Sequence, residues 1–481
     1  MIELSAVEAV ARMRDGDLTA EDYATALLAR CDAGRHLNAF ISIAPDRVKE
    51  AARAADRLRA AGSRRGPLHG LPIPIKDSVN TADHPTTSGT ATLRGFRPRV
   101  DAPVVRALRA AGGLVMGKTN LQEMSLGYTC NNMAFGAVRN PYDPTRIPGG
   151  SSGGTAVAVA ARMAPLGVAE DTCGSIRVPA ALCGIAGLRP TTHRYPSAGV
   201  MPLTPLFDAV GPLAREVADL SLFDSVMIGD FAPLAAVRPD AVRLAMSPTQ
   251  YFAGLHPEVA RVANEAMERL AEAGVAFVEA EVEDLTAHVD AANYPIICHD
   301  TVRMIKGYLR EFETGVTFEQ LLAMVGENIR DSLEARVPGG RLWVSDEAYA
   351  AARDVHRPAL QEAFARCFRA TGASAIVYPT TLMPAPPIGQ ELEVEIGGRR
   401  LPLRTAMARN IAPASCAGLP GLVLCAGLTR EGLPVGIEFA GPAGSDRALL
   451  ALGQTLEGII GRPPAPAAIA PAASPAGRIA P

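Results

Sequence analysis

Residues 148–155 read Pro-Gly-Gly-Ser-Ser-Gly-Gly-Thr, and residues 170–177 read Glu-Asp-Thr-Cys-Gly-Ser-Ile-Arg. The first stretch predicts a tight glycine-rich loop that opens a helix of small residues at 155–162. The second stretch leads to Pro179, which suits the first turn of a helix. Ser175 would therefore stand where a loop meets a helix and where backbone N–H groups are free to bind an oxyanion.

A third stretch, Gly-Leu-Pro-Ile-Pro-Ile-Lys-Asp at 70–77, places Lys76 directly after an apolar strand. Desolvation disfavours the charged form of a side chain, so this position favours the neutral amine. Asp77 need not pair with Lys76, because neighbours on a strand point to opposite faces. Pro72 and Pro74 argue against an ordinary central strand.

Lysine is rare in this chain, with four among 47 basic residues. A general preference for arginine explains the count. Each lysine still matters, because lysine can lose its proton in a buried site and arginine cannot.

Each stretch has an ordinary explanation when it is taken alone: a lysine with its head in solvent, a tight loop before a helix, and a serine that caps a helix. A phosphate-binding Walker loop needs a Gly-Lys-Ser/Thr ending, which the first stretch lacks. The Gly149-x-Ser151-x-Gly153 pattern also fits the nucleophile elbow of α/β-hydrolases. That elbow needs a preceding strand, whereas 140–146 is turn material, and it needs a late histidine, whereas 125 residues follow His356.

Composition excludes several classes of protein. The net charge is −3 with scattered basic residues, which gives no nucleic-acid footprint. No run of eighteen apolar residues predicts a membrane span, and the first residues lack the basic flank and apolar stretch of a signal peptide. Eight cysteines, none in a Cys-x-x-Cys pair, fit reduced thiols in a cytoplasmic protein and argue against a structural zinc.

The 481 residues could hold two domains, but no clean linker precedes the last twenty. We expect one α/β domain over 1–462, with a core region at about 65–220 and a helical insertion at about 230–370. The Ala/Pro-rich residues 463–481 are predicted to be a disordered tail.

The order of the predicted elements indicates the fold class. Helices are predicted to begin at a capping box at Ser5, at Thr19 and at Pro45. Long amphipathic helices are predicted around 257–274 and 344–370. Strands are predicted before and after them, at 71–75, 114–116, 376–378, 422–425 and 435–439. This order favours a mixed sheet flanked by helices.

The three stretches together are far more specific than any one of them. They resemble the amidase signature family, which shares a Gly-Gly-Ser-Ser-Gly-Gly loop, a following Asp-x-Gly-Gly-Ser-Ile-Arg stretch and an upstream lysine. The spacings agree, with 75 residues from Lys76 to Ser151 and 24 from Ser151 to Ser175. The resemblance runs from about residue 5 to 460 and includes the stretches 117–120, 183–190 and 208–215. It implies a large mixed, twisted sheet covered by helices on both faces.

The resemblance also implies a role for each matching residue. Ser175 resembles the nucleophile, Ser151 the bridging serine held on a cis peptide, and Lys76 the base. The oxyanion hole would be formed by the backbone N–H groups of Thr172, Cys173, Gly174 and Ser175. The resemblance gives no metal or cofactor a task.

One residue departs from the family pattern, because Cys173 stands where glycine is usual. Its Cβ could crowd the acyl pocket or restrict the backbone that presents the N–H groups. No histidine lies near it in sequence, so we interpret it as a pocket-lining residue and not as a nucleophile.

Within the family, the chain looks most like mandelamide and indole-3-acetamide hydrolases, through residues 188–195, 378–385 and 432–446. This likeness implies a primary arylacetamide-like substrate that yields a carboxylic acid and ammonia. Aryl acylamidase, esterase and carbamate-cleaving activity stay open on the same relay. A glutamine-amidase subunit of a tRNA-dependent amidotransferase is the alternative from another class, and a catalytically dead scaffold is a third. For the amide hydrolase we expect a small-molecule substrate, no nucleic-acid or membrane partner, and a monomer or homodimer.

Other candidate residues are judged from their positions near the motifs. Asp171 is expected to fix the Ser175 loop through backbone N–H groups, and Arg177 to pair with a carboxylate. His69 and His84 are expected to be structural. Candidate substrate-binding residues are Met124, Tyr128, Cys130, Gly149, Gly150 and Phe207.

Overall fold

The structure is a computed structural model that describes residues 1–63 and 66–467. Most of the predicted disordered tail, residues 468–481, lies outside the described residues. The first part of that tail has no regular secondary structure. The carbonyl oxygen of Pro464 accepts a hydrogen bond from the Tyr142 hydroxyl at 2.9 Å, so this part packs on the domain.

A large mixed sheet organises the described residues, and it confirms the predicted α/β fold. Its eleven strands run in the order β1-β3-β2-β6-β8-β7-β14-β15-β11-β9-β10. Two further pairs, β4-β5 and β12-β13, form small hairpins. The strands are β1 Phe40–Ile43, β2 Pro72–Lys76, β3 Leu114–Thr119, β4 Asn131–Asn132, β5 Gly136–Ala137, β6 Leu166–Asp171, β7 Ala186–Arg189, β8 Ala209–Ala214, β9 Arg243–Met246, β10 Ala276–Glu279, β11 Ala375–Pro379, β12 Glu393–Ile396, β13 Arg399–Pro402, β14 Gly421–Leu428 and β15 Pro434–Ala440.

The first three helices begin where the sequence predicts them, and the helix predicted at 155–162 lies at Gly153–Ala160. The capping box at Ser5 is present, Thr19 caps the second helix, and Pro45 is the first residue of the third. The helices are α1 Ala6–Asp15, α2 Ala20–Ala33, α3 Pro45–Ala60, α4 Pro103–Ala110, α5 Gly153–Ala160, α6 Arg177–Cys183, α7 Val217–Ile228, α8 Pro257–Glu272, α9 Leu285–Glu311, α10 Phe318–Met324, α11 Glu327–Glu334, α12 Asp346–Ala351, α13 Arg357–Thr371, α14 Leu403–Ala408, α15 Ala412–Ala417 and α16 Asp446–Ile460. Short 3₁₀ or π turns lie at Arg35–Leu37, Ala91–Leu93, Glu123–Ser125, Pro239–Ala241, Pro248–Phe252 and Ala352–His356.

Helices cover both faces of the sheet. On β14, a Cβ at Gly421 would lie 3.2 Å from Arg177 of α6, and a Cβ on Gly453 of α16 would lie 2.2 Å from the side chain of Leu422. Successive residues of a strand point to opposite faces. Helices α6 and α16 therefore pack on opposite sides of β14, and glycines allow both close approaches.

The region predicted as a helical insertion, residues 230–370, also contains two strands of the main sheet. β9 and β10 pair in parallel, β9 pairs in parallel with β11, and α8 is the crossover between β9 and β10. Each strand has only four residues, so its apolar run is too short to show beside the strong helical periodicity of α8. This part of the chain extends the sheet and is not wholly helical.

Strand β2 lies inside the sheet, between β3 and β6, although it contains two prolines. The register with β3 shifts between Ile73 and Pro74, and Ile75 pairs with Val168 on β6. A proline cannot donate to a ladder, so an irregular register accommodates these two. The strand ends at Lys76, which is completely buried.

Candidate active site

Lys76 and Ser151 meet in the protein interior. Lys76 Nζ lies 2.6 Å from Ser151 Oγ, and both residues are fully buried. Ser151 lies in the glycine-rich loop just before α5, and its peptide bond with Gly150 is cis. The contact gives the lysine amine a hydroxyl partner that can both donate and accept a proton.

The two serine loops are adjacent. The backbone N–H of Ser152 donates to the carbonyl oxygen of Ser175 at 3.2 Å. Ser175 follows β6, precedes α6 and is 6% exposed, and its side of the loop opens into a cavity. The fold thus brings together the three residues that the sequence motifs single out.

Asp171 holds the Ser175 loop, as the sequence predicts. Its carboxylate accepts hydrogen bonds from the N–H groups of Gly174 at 2.7 Å and Ile176 at 3.0 Å. Gly174 has φ of 116°, and a Cβ there would lie 2.4 Å from Ile411, so only glycine fits. The loop is tied to a single buried carboxylate.

Two arginines keep that carboxylate charged. Arg177 lies 3.1 Å from Asp171 and 2.8 Å from Glu438, and Arg189 lies 3.3 Å from Asp171. Burial alone would raise the pKa of Asp171, but the two guanidinium groups hold it well below its usual range. The predicted ion pair of Arg177 is therefore present, with two carboxylates.

The oxyanion-hole prediction needs one correction. The N–H of Gly174 donates to Asp171, so it is not free to stabilise a developing oxyanion. Of the four predicted donors, the N–H groups of Thr172, Cys173 and Ser175 stay candidates for that role. Tyr128 restrains the same turn, because its hydroxyl donates to the carbonyl oxygen of Cys173 at 2.9 Å.

Glu170 is a site residue that the sequence reasoning missed. It sits one residue before Asp171 and pairs with Lys76 Nζ, and it also accepts a hydrogen bond from Ser125 Oγ at 2.7 Å. A charged residue inside the apolar run of β6 is a usable signal, because a buried charge needs a partner. Glu170 thus gives Lys76 Nζ a buried carboxylate partner in addition to Ser151.

A cavity of about 800 Å³ lies in front of Ser175. Its wall is partly apolar and aromatic, and most of it comes from segments remote in sequence. The residues are Gln122, Ser125, Leu126, Tyr128, Cys173, Tyr251, Leu285, Val289, Asn293, Tyr294, Ile297, Arg336, Leu403 and Arg404, among others. Sequence reasoning could not reach the residues of α9 and α14, because no motif marks them.

Of the predicted substrate-binding residues, Tyr128 lines this cavity and the other five do not. Met124 and Phe207 are fully buried in apolar clusters behind the wall. Cys130 is also buried, with Sγ 3.3 Å from the carbonyl oxygen of Ser151. Gly149 and Gly150 pack on the backbone of other segments: a Cβ on the first would meet Pro179, and one on the second would meet Tyr128. Proximity in sequence does not separate a cavity wall from the layer behind it.

The two histidines near Lys76 in sequence are both buried. His69 Nε2 lies 3.0 Å from the carbonyl oxygen of Ala55, and burial lowers the pKa of His84 below its ordinary value.

Within residues 1–63 and 66–467, no group of three or more His, Cys, Asp or Glu side chains could hold a metal ion. No helix in the same part of the chain is long and apolar enough to span a membrane.

Burial and contacts define the state of Cys173. Burial raises the pKa of its thiol above the ordinary value, so the thiol stays protonated near neutral pH and is a weak nucleophile. Its Sγ faces Asn293 Nδ2 at 4.0 Å. Cys173 is therefore placed as a wall residue of the cavity.

Comparison with known proteins identifies the fold and the chemistry. The family model for Amidase matches residues 22–450. The chain belongs to the amidase signature family. It is an amide C–N hydrolase.

Relatives of this amidase cover nearly the whole chain. Indoleacetamide hydrolase from Agrobacterium vitis is 37% identical over 94% of this chain and 96% of its own. Mandelamide hydrolase from Pseudomonas putida is 35% identical over 96% of this chain and 93% of its own. A crystal structure of an amidase superposes with a TM-score of 0.85 at 31% identity, covering 95% of this chain and 100% of that one. The likeness to indoleacetamide and mandelamide hydrolases expected from the sequence is confirmed.

We expect Cys173→Gly in this amidase to broaden the acyl side of the substrate range without removing activity. The change deletes a side chain from the cavity wall, and glycine lets a substrate approach the backbone more closely. The measurement is the ratio of kcat/KM for bulky and small acyl amides. Cys173→Ser keeps the Cβ and should leave that ratio unchanged, whereas equal ratios for wild type and Cys173→Gly would contradict the prediction.

Proposed function

We propose that this enzyme hydrolyses a primary arylacetamide-like amide to a carboxylic acid and ammonia, through an acyl-Ser175 intermediate. The observation that carries the proposal is the 2.6 Å contact of Lys76 Nζ with Ser151 Oγ, in a loop bonded to the Ser175 loop beside an open cavity. A nucleophile and a base joined by a hydroxyl form a complete proton path.

Acylation uses this path in one direction. A neutral Lys76 takes the proton of Ser151, which takes the proton of Ser175 as Ser175 Oγ attacks the carbonyl carbon. The oxyanion lies against the N–H groups of Thr172, Cys173 and Ser175, which the Asp171 bonds hold in place. Ser151 then returns the proton to the departing nitrogen, and Lys76 returns its proton to Ser151.

Deacylation uses the same groups with water. Water takes the place of the departed ammonia and gives its proton to Ser151 as it attacks the acyl-enzyme carbonyl, while Ser151 passes its own proton to Lys76. The proton passes back to Ser175 when the carboxylic acid leaves. Every proton is returned over the two steps, so the resting enzyme is restored.

The substrate class is supported by the cavity and by the relatives. Aromatic and apolar side chains line much of the wall, including Tyr128, Tyr251, Tyr294, Ile297 and Leu403. A ring of a small arylacetamide could pack on these side chains while its amide reaches Ser175. The two relatives named above bear the names of indoleacetamide and mandelamide hydrolases.

A substrate panel tests this proposal. Ammonia release is measured from phenylacetamide, indole-3-acetamide, mandelamide, hexanamide and glutamine. Aniline release from acetanilide, phenol release from a phenyl carbamate and ethanol release from an ethyl ester are measured as further arms. We expect the highest kcat/KM for the aryl primary amides. Their kcat/KM should exceed that of hexanamide by about 10-fold or more. Preferred cleavage of the anilide, carbamate, ester or glutamine would contradict the proposed substrate class.

A further inference from the structure

Glu170 lies behind the base and is not part of the relay itself. It is 4% exposed, pairs with Lys76 Nζ and also accepts from Ser125 Oγ at 2.7 Å and from Ser78 Oγ at 3.4 Å. All three contacts involve the same carboxylate oxygen, Oε1. Two serines from different segments therefore hold the carboxylate in place next to Lys76.

The Lys76 amine has two partners of different chemistry. Ser151 Oγ can give it a proton, whereas the Glu170 carboxylate can only accept a hydrogen bond from it when ionised. A neutral amine that donates an N–H to Glu170 has its lone pair left for the Ser151 hydroxyl. The two contacts thus allow the nitrogen to donate to Glu170 and to accept from Ser151.

We propose that Glu170 is a positioning residue that orients Lys76 toward Ser151 and stabilises the ammonium formed when Lys76 receives the proton. The inference rests on the relay proposed above and extends it by one residue. The logic is that of a carboxylate that orients a general base and compensates its charge in a serine triad.

Charge and protons balance along this chain. Ser175 loses its proton to Ser151, Ser151 loses its own to Lys76, and the amine becomes an ammonium beside the Glu170 carboxylate. No proton moves to Glu170. The positive charge thus forms next to a fixed negative charge in a buried site, where their attraction is stronger than in water.

Other titratable groups near Lys76 and Glu170 can also contribute to the pH dependence of the rate. Burial raises the pKa of Asp208 to about 7, and its Oδ1 accepts from Thr172 Oγ1 at 2.6 Å. Burial also raises the pKa of the Cys130 thiol to about 12. Asp77 and Lys118 pair with each other at 3.3 Å. Because the pKa of Asp208 lies near neutral pH, its titration can overlap with the pH dependence of the rate. The pH–rate profile of Asp208→Asn measures that contribution.

The test is the pH–rate profile of Glu170→Gln. The amide keeps the shape and one acceptor oxygen but removes the charge. We expect kcat to fall roughly 10- to 100-fold, and the rise of kcat/KM with pH to move to lower pH, because the amine holds its proton less firmly without the carboxylate. Glu170→Asp keeps the charge with a shorter reach, so it should lose rate but keep the wild-type position of that rise.

A matched control is Asp224→Asn, another buried acid changed to its amide. Asp224 lies on α7, away from the site, and pairs with Arg194 at 2.7 Å. It should leave the profile unchanged in folded protein, as judged by thermal unfolding. A Glu170→Gln variant with wild-type kcat and profile would overturn the inference, and so would a slower variant with an unmoved profile.

Ser175→Ala measured in parallel separates a failure of the proposed relay from a failure of the proposed role of Glu170. If Ser175→Ala retains activity, the proposed relay is wrong. If Ser175→Ala is inactive while Glu170→Gln matches wild type, only the role of Glu170 is wrong. If Glu170→Gln does not fold, Glu170→Asp decides: a displaced pH rise in that variant would overturn the inference, and an unmoved one would support it.

Discussion

Ser175→Ala is expected to reduce amide hydrolysis by about 10⁶-fold while the protein stays folded. The change removes the oxygen that forms the acyl-enzyme and leaves every bond of Asp171 to the loop backbone in place. Thermal unfolding and substrate binding should therefore match wild type, and only kcat should collapse. Phenylmethylsulfonyl fluoride should label wild type at Ser175 and leave the variant unmodified, as read by peptide mass spectrometry.

Ser152→Ala is the matched control for this change. Ser152 is a buried serine of the glycine-rich loop, and its hydroxyl donates to the carbonyl oxygen of Glu170 at 3.2 Å. It should retain activity within about 10-fold, since its hydroxyl lies outside the proton path. A label on Cys173, or more than about a hundredth of wild-type activity in Ser175→Ala, would show that another residue attacks the amide.

Lys76→Arg is expected to be as inactive as Lys76→Ala, with kcat lowered roughly 10³-fold or more. Arginine keeps the positive charge, but it stays protonated at any usable pH and cannot take the proton of Ser151. A lysine needed only for its charge would tolerate arginine far better. A small primary amine such as methylamine should restore part of the activity of Lys76→Ala, with a rate that rises with the amine concentration.

Lys118→Arg controls for the size of the change. Lys118 is also fully buried, with Nζ 2.8 Å from the carbonyl oxygen of Val79 and from Thr86 Oγ1. The substitution should cost stability, yet the folded fraction should hydrolyse substrate at a rate near wild type. A Lys76→Arg variant with more than about a tenth of wild-type kcat would mean that another group is the base.

The reach of sequence reasoning depends on how locally each feature is encoded. Lys76, Ser151 and Ser175 lie in three short motifs with recognisable spacing, so they could be predicted to act together. The helix starts at Ser5, Thr19 and Pro45 follow from capping and from the fixed φ of proline, which are local effects.

Other features depend on contacts between distant segments. Which donors remain for an oxyanion is decided by the Asp171 carboxylate, which takes the N–H of Gly174. Glu170 on β6 pairs with Lys76 from 94 residues further along the chain. The charge in an apolar strand signals that Glu170 has a partner, but no local pattern identifies that partner as Lys76. β9 and β10 become strands by pairing with a sheet formed elsewhere, which tertiary contacts and not propensity decide.

The cavity wall has a consequence for how such an enzyme changes over time. The relay residues all lie within residues 76–175 of the sequence. Much of the wall comes from α9 and α14, which lie later in the chain. Mutations in α9 and α14 can therefore reshape the chamber that receives the acyl group and leave the relay residues unchanged. Descendants of one ancestral hydrolase could acquire new substrates through drift in those helices, and mutant libraries confined to the same two helices should reach new selectivities at the smallest loss of turnover.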